Sequence, residues 1–260
     1  MNVLDRILQS KRDRLPDRMA SMSLDEVRSQ AADAPPTLGF LDALLSSEHD
    51  VSLIAEVKKA SPVQGVLRES FDAVEIAQTY KLCGADCLSV LTDVEHFQGH
   101  PSYVRLCRSA TGLPTLRKDF TIHEYDVYEA RALGADAVLL IVSALERAHL
   151  QELLLLAGEL GMDALVEAHS LDEALVAVEI GAKLVGLNNR DLETFEVNIE
   201  IARDVIPQIA GRATVVSESA LNNNDDVRLA QEAGARAVLI GTSFCTAPDI
   251  AQKVREVMGW

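Results

Sequence analysis

"GADAVLLIV", residues 134–142, decides how this chain is read. It opens Gly-Ala and runs into an apolar, β-rich segment. The pattern recurs as "GADCLSVLT" from Gly84, "GAKLVGLNN" from Gly181 and "GARAVLIGT" from Gly234, at spacings of 50, 47 and 53 residues. Glycine accepts positive φ without strain, which suits the position just past a helix. Helical patterns over 73–83, 124–133, 171–180 and 225–233 precede the four copies.

A second set of strands lies between them: 51–58, "LPTLRKDF" from Leu113, "MDALVEAH" from Met162 and "ATVVSES" from Ala213. Helical segments over 101–110, 146–160, 198–206 and 248–258 fill the remaining intervals. Eight apolar strands thus alternate with eight amphipathic helices, at about 25 residues per unit. Near-continuous apolar strands between helices indicate parallel strands buried on both faces. Eight units over 51–260 predict an α/β fold of the closed (β/α)8 barrel type. An open doubly wound sheet would favour a G-x-G-x-x-G turn after its first strand, and the sequence has none.

Residues 1–50 fall outside the repeat. Val3, Ile7 and Leu8 share a helix face, in a helix expected to end before Pro16. Ser23 with Glu26 three residues on predicts a capping box. "GFLDALLSS" predicts a third short helix. The segment is expected to lie over one end of the barrel, as an extension of a single domain.

Composition narrows the function. Hydrophobic content of 48% and charged content of 25% fit a globular chain. A net charge of −16 disfavours a nucleic-acid backbone as partner, while a small anion remains open to a locally cationic cleft. The 4% aromatic content offers no stacking platform for single strands. No signal-peptide core and no run long enough to span a bilayer is found. Cys83, Cys87, Cys107 and Cys245 form no Cys-x-x-Cys pair and sit in apolar settings. A reduced, cytoplasmic protein is expected. His96 and His100 in "HFQGH" are four apart, but Gly99 and the loop setting argue against a helical metal pair. No metal is expected.

In a (β/α)8 barrel, chemistry sits at the carboxyl ends of the strands. Those ends carry Glu56 and Lys58; Arg117, Lys118 and Asp119; Glu167 and His169; Asn188, Asn189 and Arg190; and Ser217, Glu218 and Ser219. The opposite ends are expected to be largely uncharged. Residues two apart in a strand share a side, so Glu56 and Lys58 point together and Lys59 points away. Two lysines and three glutamates around one mouth would perturb one another's proton affinity, as acid–base chemistry requires. Phosphate is the expected anion. The segments after the seventh and eighth strands, "SESALNNNDDV" and "GTSF", present backbone N–H groups where such barrels hold it. Ser61 and Lys58 of the first loop would add to that grip.

The motifs "IAEVKKASP", "SVLTDVEHFQG", "LRKDF", "LVEAH", "GLNNRDLETFEV" and "SES" resemble, in order and spacing, the indole-3-glycerol phosphate synthase family. The resemblance covers the whole chain. It implies that 1-(2-carboxyphenylamino)-1-deoxyribulose 5-phosphate is converted to indole-3-glycerol phosphate, carbon dioxide and water, a step of tryptophan biosynthesis needing no cofactor. Carried over by motif, Lys58 and Lys118 are the catalytic lysines and Glu167 the base. Glu56 positions a lysine or acts in dehydration. Asn188 holds the substrate, and Glu218 orients Lys118 or the hydroxyls. Ser61, Ser219, Gly241 and Thr242 fall at the phosphate, Arg190 near the carboxylate or in the charge network, and Phe97 and Phe120 along the aromatic pocket or in the plain core. The resemblance further implies a monomer or weak homodimer, with other tryptophan-pathway enzymes as candidate contacts.

Four departures stand out. Ser61-Pro62-Val63-Gln64-Gly65 replaces the usual Ser-Pro-Ser-Lys-Gly, which removes a loop lysine. Ala220 stands where glycine is common, and a positive φ there would be strained. His100 replaces a usual serine, and Asn198 a usual aspartate. Two other readings compete: a different phosphate-sugar barrel enzyme, such as an isomerase of a neighbouring step, and a weakly active or non-catalytic paralogue kept as a binding partner. Consumption of the isomerase substrate would mark the first, and binding without turnover the second.

Overall fold

The computed structural model describes residues 2–190 and 200–260, with side chains from 203 in the second stretch. Asn198 lies outside the described residues. Three helices come first: α1 (Val3–Ser21), α2 (Leu24–Ala32) and α3 (Phe40–Leu45). The strands are β1 (Ser52–Val57), β2 (Cys87–Leu91), β3 (Thr115–Lys118), β4 (Ala137–Ile141), β5 (Asp163–Ala168), β6 (Leu184–Asn188), β7 (Thr214–Glu218) and β8 (Ala237–Ile240). The helices that follow them in turn are α4 (Ala73–Leu82), α5 (Ser102–Thr111), α6 (Glu124–Ala132), α7 (Arg147–Glu159), α8 (Leu171–Glu179), α9 (Glu200–Ile209), α10 (Asn224–Ala233) and α11 (Ile250–Met258). The strands pair in chain order, all parallel, and β8 closes on β1 with Leu239 opposite Ile54. This is the closed barrel expected from the repeat.

Two-residue alternation sorts each strand into an inner and an outer face. Ile54, Cys87, Leu116, Leu139, Leu165, Leu184, Val216 and Leu239 form one buried cluster inside the barrel. Leu53, Leu88, Val138, Val166, Val185, Val215 and Val238 face the helices in a second, larger one. The interior is therefore a packed core that ends at the level of the strand tips.

The extension touches both ends of the barrel, where the sequence suggested one. Phe40 and Leu44 of α3 are fully buried in the interior cluster and plug the amino end. Lys11 of α1 pairs with Asp93 and Asp119, just past the carboxyl ends of β2 and β3. Between these points α2 packs along α6, with Arg28 bonded to Glu124. The helix α1 also runs through Pro16 to Ser21, beyond its expected end. Proline removes one backbone donor, but its fixed φ is helical. The turn beyond it is held from outside, by Arg18 on Asp126 at 2.8 Å and on Glu129 at 2.7 Å.

The amino end of the barrel is charged, contrary to expectation. Asp86 accepts the Leu53 N–H at 2.8 Å, Asp136 the Thr115 N–H at 2.8 Å, and Asp163 the Leu41 N–H at 2.9 Å. Asp136 is fully buried and also takes Arg108 at 3.0 Å and the Leu38 N–H at 2.7 Å. Backbone donors at strand starts and in the plug have no ladder partner, so a carboxylate satisfies them. The polar residue of the Gly-Ala-Asp turn thus has a structural task.

Candidate active site

The interior parity that buries Ile54 also sends Glu56 inward, followed by Lys58. On the same rule Lys118 follows Leu116, Glu167 follows Leu165, Asn188 follows Gly186, and Glu218 follows Val216. These side chains converge at the carboxyl mouth on a cavity of about 370 Å3. Its apolar walls include Leu91, Phe97, Phe120, Leu139, Ile141 and Leu239, and the Phe97 and Phe120 rings stand 6.1 Å apart. Ser61, Arg190, Ser219, Gly241 and Thr242 line it as well. All thirteen residues carried over by motif meet around this one space; of the other strand-end residues Asp119 lines it, and Arg117, His169, Asn189 and Ser217 do not. Lys59 does not line it.

Two ion-pair groups form. Lys58 Nζ lies 2.6 Å from Glu56 Oε1, and Ser89 Oγ donates to Glu56 Oε2 at 3.3 Å. Lys118 Nζ donates to Glu167 Oε2 at 2.7 Å and to Glu218 Oε2 at 2.9 Å. Asn188 Nδ2 donates to Glu167 Oε1 at 3.1 Å. Burial disfavours the Lys118 ammonium, but the two carboxylates outweigh burial and raise its proton affinity well above that of a free lysine. Burial likewise opposes ionisation of Glu167, yet Lys118 and His169 hold its carboxyl well below the usual range. Glu218 differs. Burial pushes it up from the usual carboxylate range, with the Glu167 charge adding to the push and Lys118 only partly opposing it. Its Oε1 has no hydrogen-bond partner among the described residues. Two like carboxylates sharing one lysine separate in this way, one ionised and one ready to hold a proton.

Two glycines make room for this arrangement, Gly186, which sequence reasoning passed over, and Gly241, whose part in it was not foreseen. A Cβ at Gly186 would overlap Glu218 Oε1 and stand 3.1 Å from its carboxyl carbon. A Cβ at Gly241 would stand 2.9 Å from the Glu56 Cβ. Gly241 had been singled out for phosphate, and here its missing side chain also seats Glu56. The only local signal was a glycine at an inward position of an otherwise apolar strand. Arg117 flanks Lys118 but turns into a separate buried network, in which it reaches Glu129 at 2.5 Å and Asp119 at 3.2 Å, while Asp119 also borders the cavity.

The first loop is a short antiparallel ribbon, Ala60–Ser61 against Gly65–Val66. Ser61 Oγ accepts the Gln64 N–H at 3.1 Å, and Gly65 has φ +69°. Pro62, Val63 and Gln64 border the cavity. Opposite them, Ser219 and Ala220 both have φ +65°. Left-handed backbone at a residue with a Cβ costs about 1–2 kcal/mol, so the strain foreseen at Ala220 is present and extends to its neighbour. Gly99 explains the geometry of "HFQGH", since a Cβ there would overlap the Leu91 carbonyl. His96 faces Glu95 at 3.9 Å, whereas His100 bonds Ser102 at 2.7 Å.

Comparison with known proteins settles the family. The family model described as indole-3-glycerol phosphate synthase matches residues 4–257. The chain belongs to this family. An indole-3-glycerol phosphate synthase of Roseiflexus castenholzii is 48% identical over 265 residues, covering 99% of this chain and 98% of that protein. Among solved structures, thiamine phosphate pyrophosphorylase from Pyrococcus furiosus superposes with a TM-score of 0.60 at 17% identity, covering 80% of this chain and 94% of that one. The N-acetylmannosamine-6-phosphate 2-epimerase of Clostridium perfringens gives 0.58 at 15% identity, covering 74% and 86%. These two likenesses show the barrel fold alone. Membership in the indole-3-glycerol phosphate synthase family makes the chain a carboxy-lyase of tryptophan biosynthesis that binds a phosphorylated substrate. Among the described residues, no helix is long and apolar enough to cross a membrane.

Proposed function

We propose that the two ion-pair groups divide the reaction between them. The substrate carries an anthranilate ring and a ribulose carbonyl. In ring closure the ring carbon bearing the carboxylate attacks that carbonyl, whose oxygen gains charge. Lys118, at the cavity floor, donates a proton to it, which makes a hydroxyl. Arg190 holds the carboxylate until carbon dioxide leaves and aromaticity returns. The apolar walls, with Phe97 and Phe120, receive the ring and exclude water, which strengthens every charge interaction at the floor.

Dehydration then needs an acid for the departing hydroxyl and a base for a carbon-bound proton. Lys58, paired with Glu56, supplies the acid, and Glu167 takes the proton. Asn188 orients Glu167 and the substrate hydroxyls. Glu218 steadies Lys118 and shares its proton. Ser61, Ser219, Gly241 and Thr242 receive the phosphate at the rim. The observation that carries this reading is Lys118 Nζ between two buried carboxylates, at 2.7 and 2.9 Å, under an apolar cavity.

The test is turnover of the anilino-ribulose phosphate, followed by indole fluorescence. Lys118→Ala is expected to lower kcat by about 1,000-fold, the scale of a lost general acid. Wild-type turnover by that variant overturns the assignment. Residues 1–50 and 51–260 are read as one folding unit, because Phe40 and Leu44 belong to the barrel's own interior cluster. Four buried thiols without a disulfide suit a reducing, cytoplasmic compartment.

A further inference from the structure

His169 follows β5 and does not line the cavity. Its side chain is nevertheless largely buried, between two carboxylates. Nε2 stands 3.3 Å from Glu167 Oε1, and Nδ1 stands 3.4 Å from Glu173 Oε2. Local sequence builds this. Ser170 caps α8, its Oγ accepting the Glu173 N–H at 3.2 Å. The Glu173 carboxylate turns back to accept the His169 N–H at 2.9 Å. The ring thus stands between the first turn of α8 and Glu167, in charge contact with both carboxylates and with no ring hydrogen bond to Glu167 among the described residues.

We infer that His169 is a positioning residue for Glu167, an imidazolium that keeps this carboxylate ionised when Lys118 gives up its proton. The inference rests on the proposed roles of Lys118 and Glu167. In the resting site Glu167 has two cations, Lys118 in front and His169 behind. Once Lys118 protonates the substrate oxygen, the front cation is neutral. A buried carboxylate without a cation would rise in proton affinity and take up a proton before it could act as base. His169 remains charged through that step. Among the described residues the charged groups facing it are Glu167 at the end of β5 and Glu173 on α8, while Lys118 reaches it through Glu167. Burial works against the imidazolium, but the two carboxylates raise its proton affinity to about 10, so it stays charged at neutral pH.

The experiment measures kcat and KM of His169→Gln between pH 4 and 9, beside Glu167→Gln. Removing the rear cation raises the proton affinity of Glu167, so the acid limb of kcat is expected to move up by about one pH unit. On that limb, below the turning point of both profiles, this is a tenfold loss, and it fades toward neutral pH; KM stays within about twofold because His169 does not face the cavity. An unmoved limb with lowered thermal stability overturns the inference and leaves a packing role. A second measurement needs no turnover: ring nitrogen NMR of the wild type at pH 8 is expected to report an imidazolium at His169, and a neutral ring overturns the inference even if His169→Gln fails to fold. Wild-type turnover by Glu167→Gln would instead sink the parent reading. An inactive Glu167→Gln beside an unchanged His169→Gln profile sinks this one alone.

Discussion

The two ends of the barrel use the same residue types for opposite ends. At the amino end Asp136 is fully buried, and backbone N–H groups and Arg108 answer its charge. At the carboxyl mouth Glu218 is equally dry, yet one of its oxygens has no hydrogen-bond partner among the described residues and it shares Lys118 with Glu167. A carboxylate saturated with donors is locked in one protonation state, and it stabilises. Carboxylates that compete for one cation are not locked, and they can exchange protons. Burial alone therefore does not separate a structural charge from a working one. The number and kind of donors does.

The contrast yields ordered expectations. Lys118→Ala should have the largest effect, with turnover down about 1,000-fold and the fold intact by circular dichroism. Asp136→Ala should do the reverse. It strands Arg108 and two backbone donors, so unfolding in urea should show a loss of about 3–5 kcal/mol, while kcat per folded molecule holds. If Asp136→Ala stays stable, the distinction between the two ends fails.

Gly186→Ala tests steric control at the mouth. The new methyl displaces Glu218 from Lys118, and kcat is expected to fall about tenfold, or 1.4 kcal/mol, with folding preserved. His169 sharpens the comparison through pH. Its folded-state affinity lies above the unfolded value, near 6.5, and rises to about 10. Its contribution to stability is therefore complete below pH 6.5 and disappears as pH rises through 10. Unfolding free energies of wild type and His169→Gln should differ most near pH 6 and converge by pH 10. Ala220→Gly should have the smallest effect. It relieves a left-handed alanine at φ +65°, and the melting temperature should rise by the equivalent of about 1 kcal/mol.

The eight Gly-Ala and intervening strands were legible because helix ends and buried strands leave local marks: a residue free to take positive φ, and a short apolar run. Parity within β1 was also local, which is why Glu56 and Lys58 could be set on one side. The path of α1 through Pro16 was not legible, because Arg18 reaches partners in α6 more than a hundred residues away. The aspartates of the amino end were misjudged for a related reason. A carboxylate that caps a strand start looks, in sequence, like any surface charge after a helix.

The sequence by itself determined the count of units, the sharing of one side by Glu56 and Lys58, and the residue types at each strand tip, since all of these follow from periods of two and 3.6 residues and from short apolar runs along the chain. Only the tertiary structure decided which carboxylate meets which lysine. Lys118 meets Glu167 across 49 residues and Glu218 across 100, and Gly186 leaves the space that one of them fills. Those pairings depend on the register that closes the barrel, a property of eight strands together that no single stretch of sequence carries.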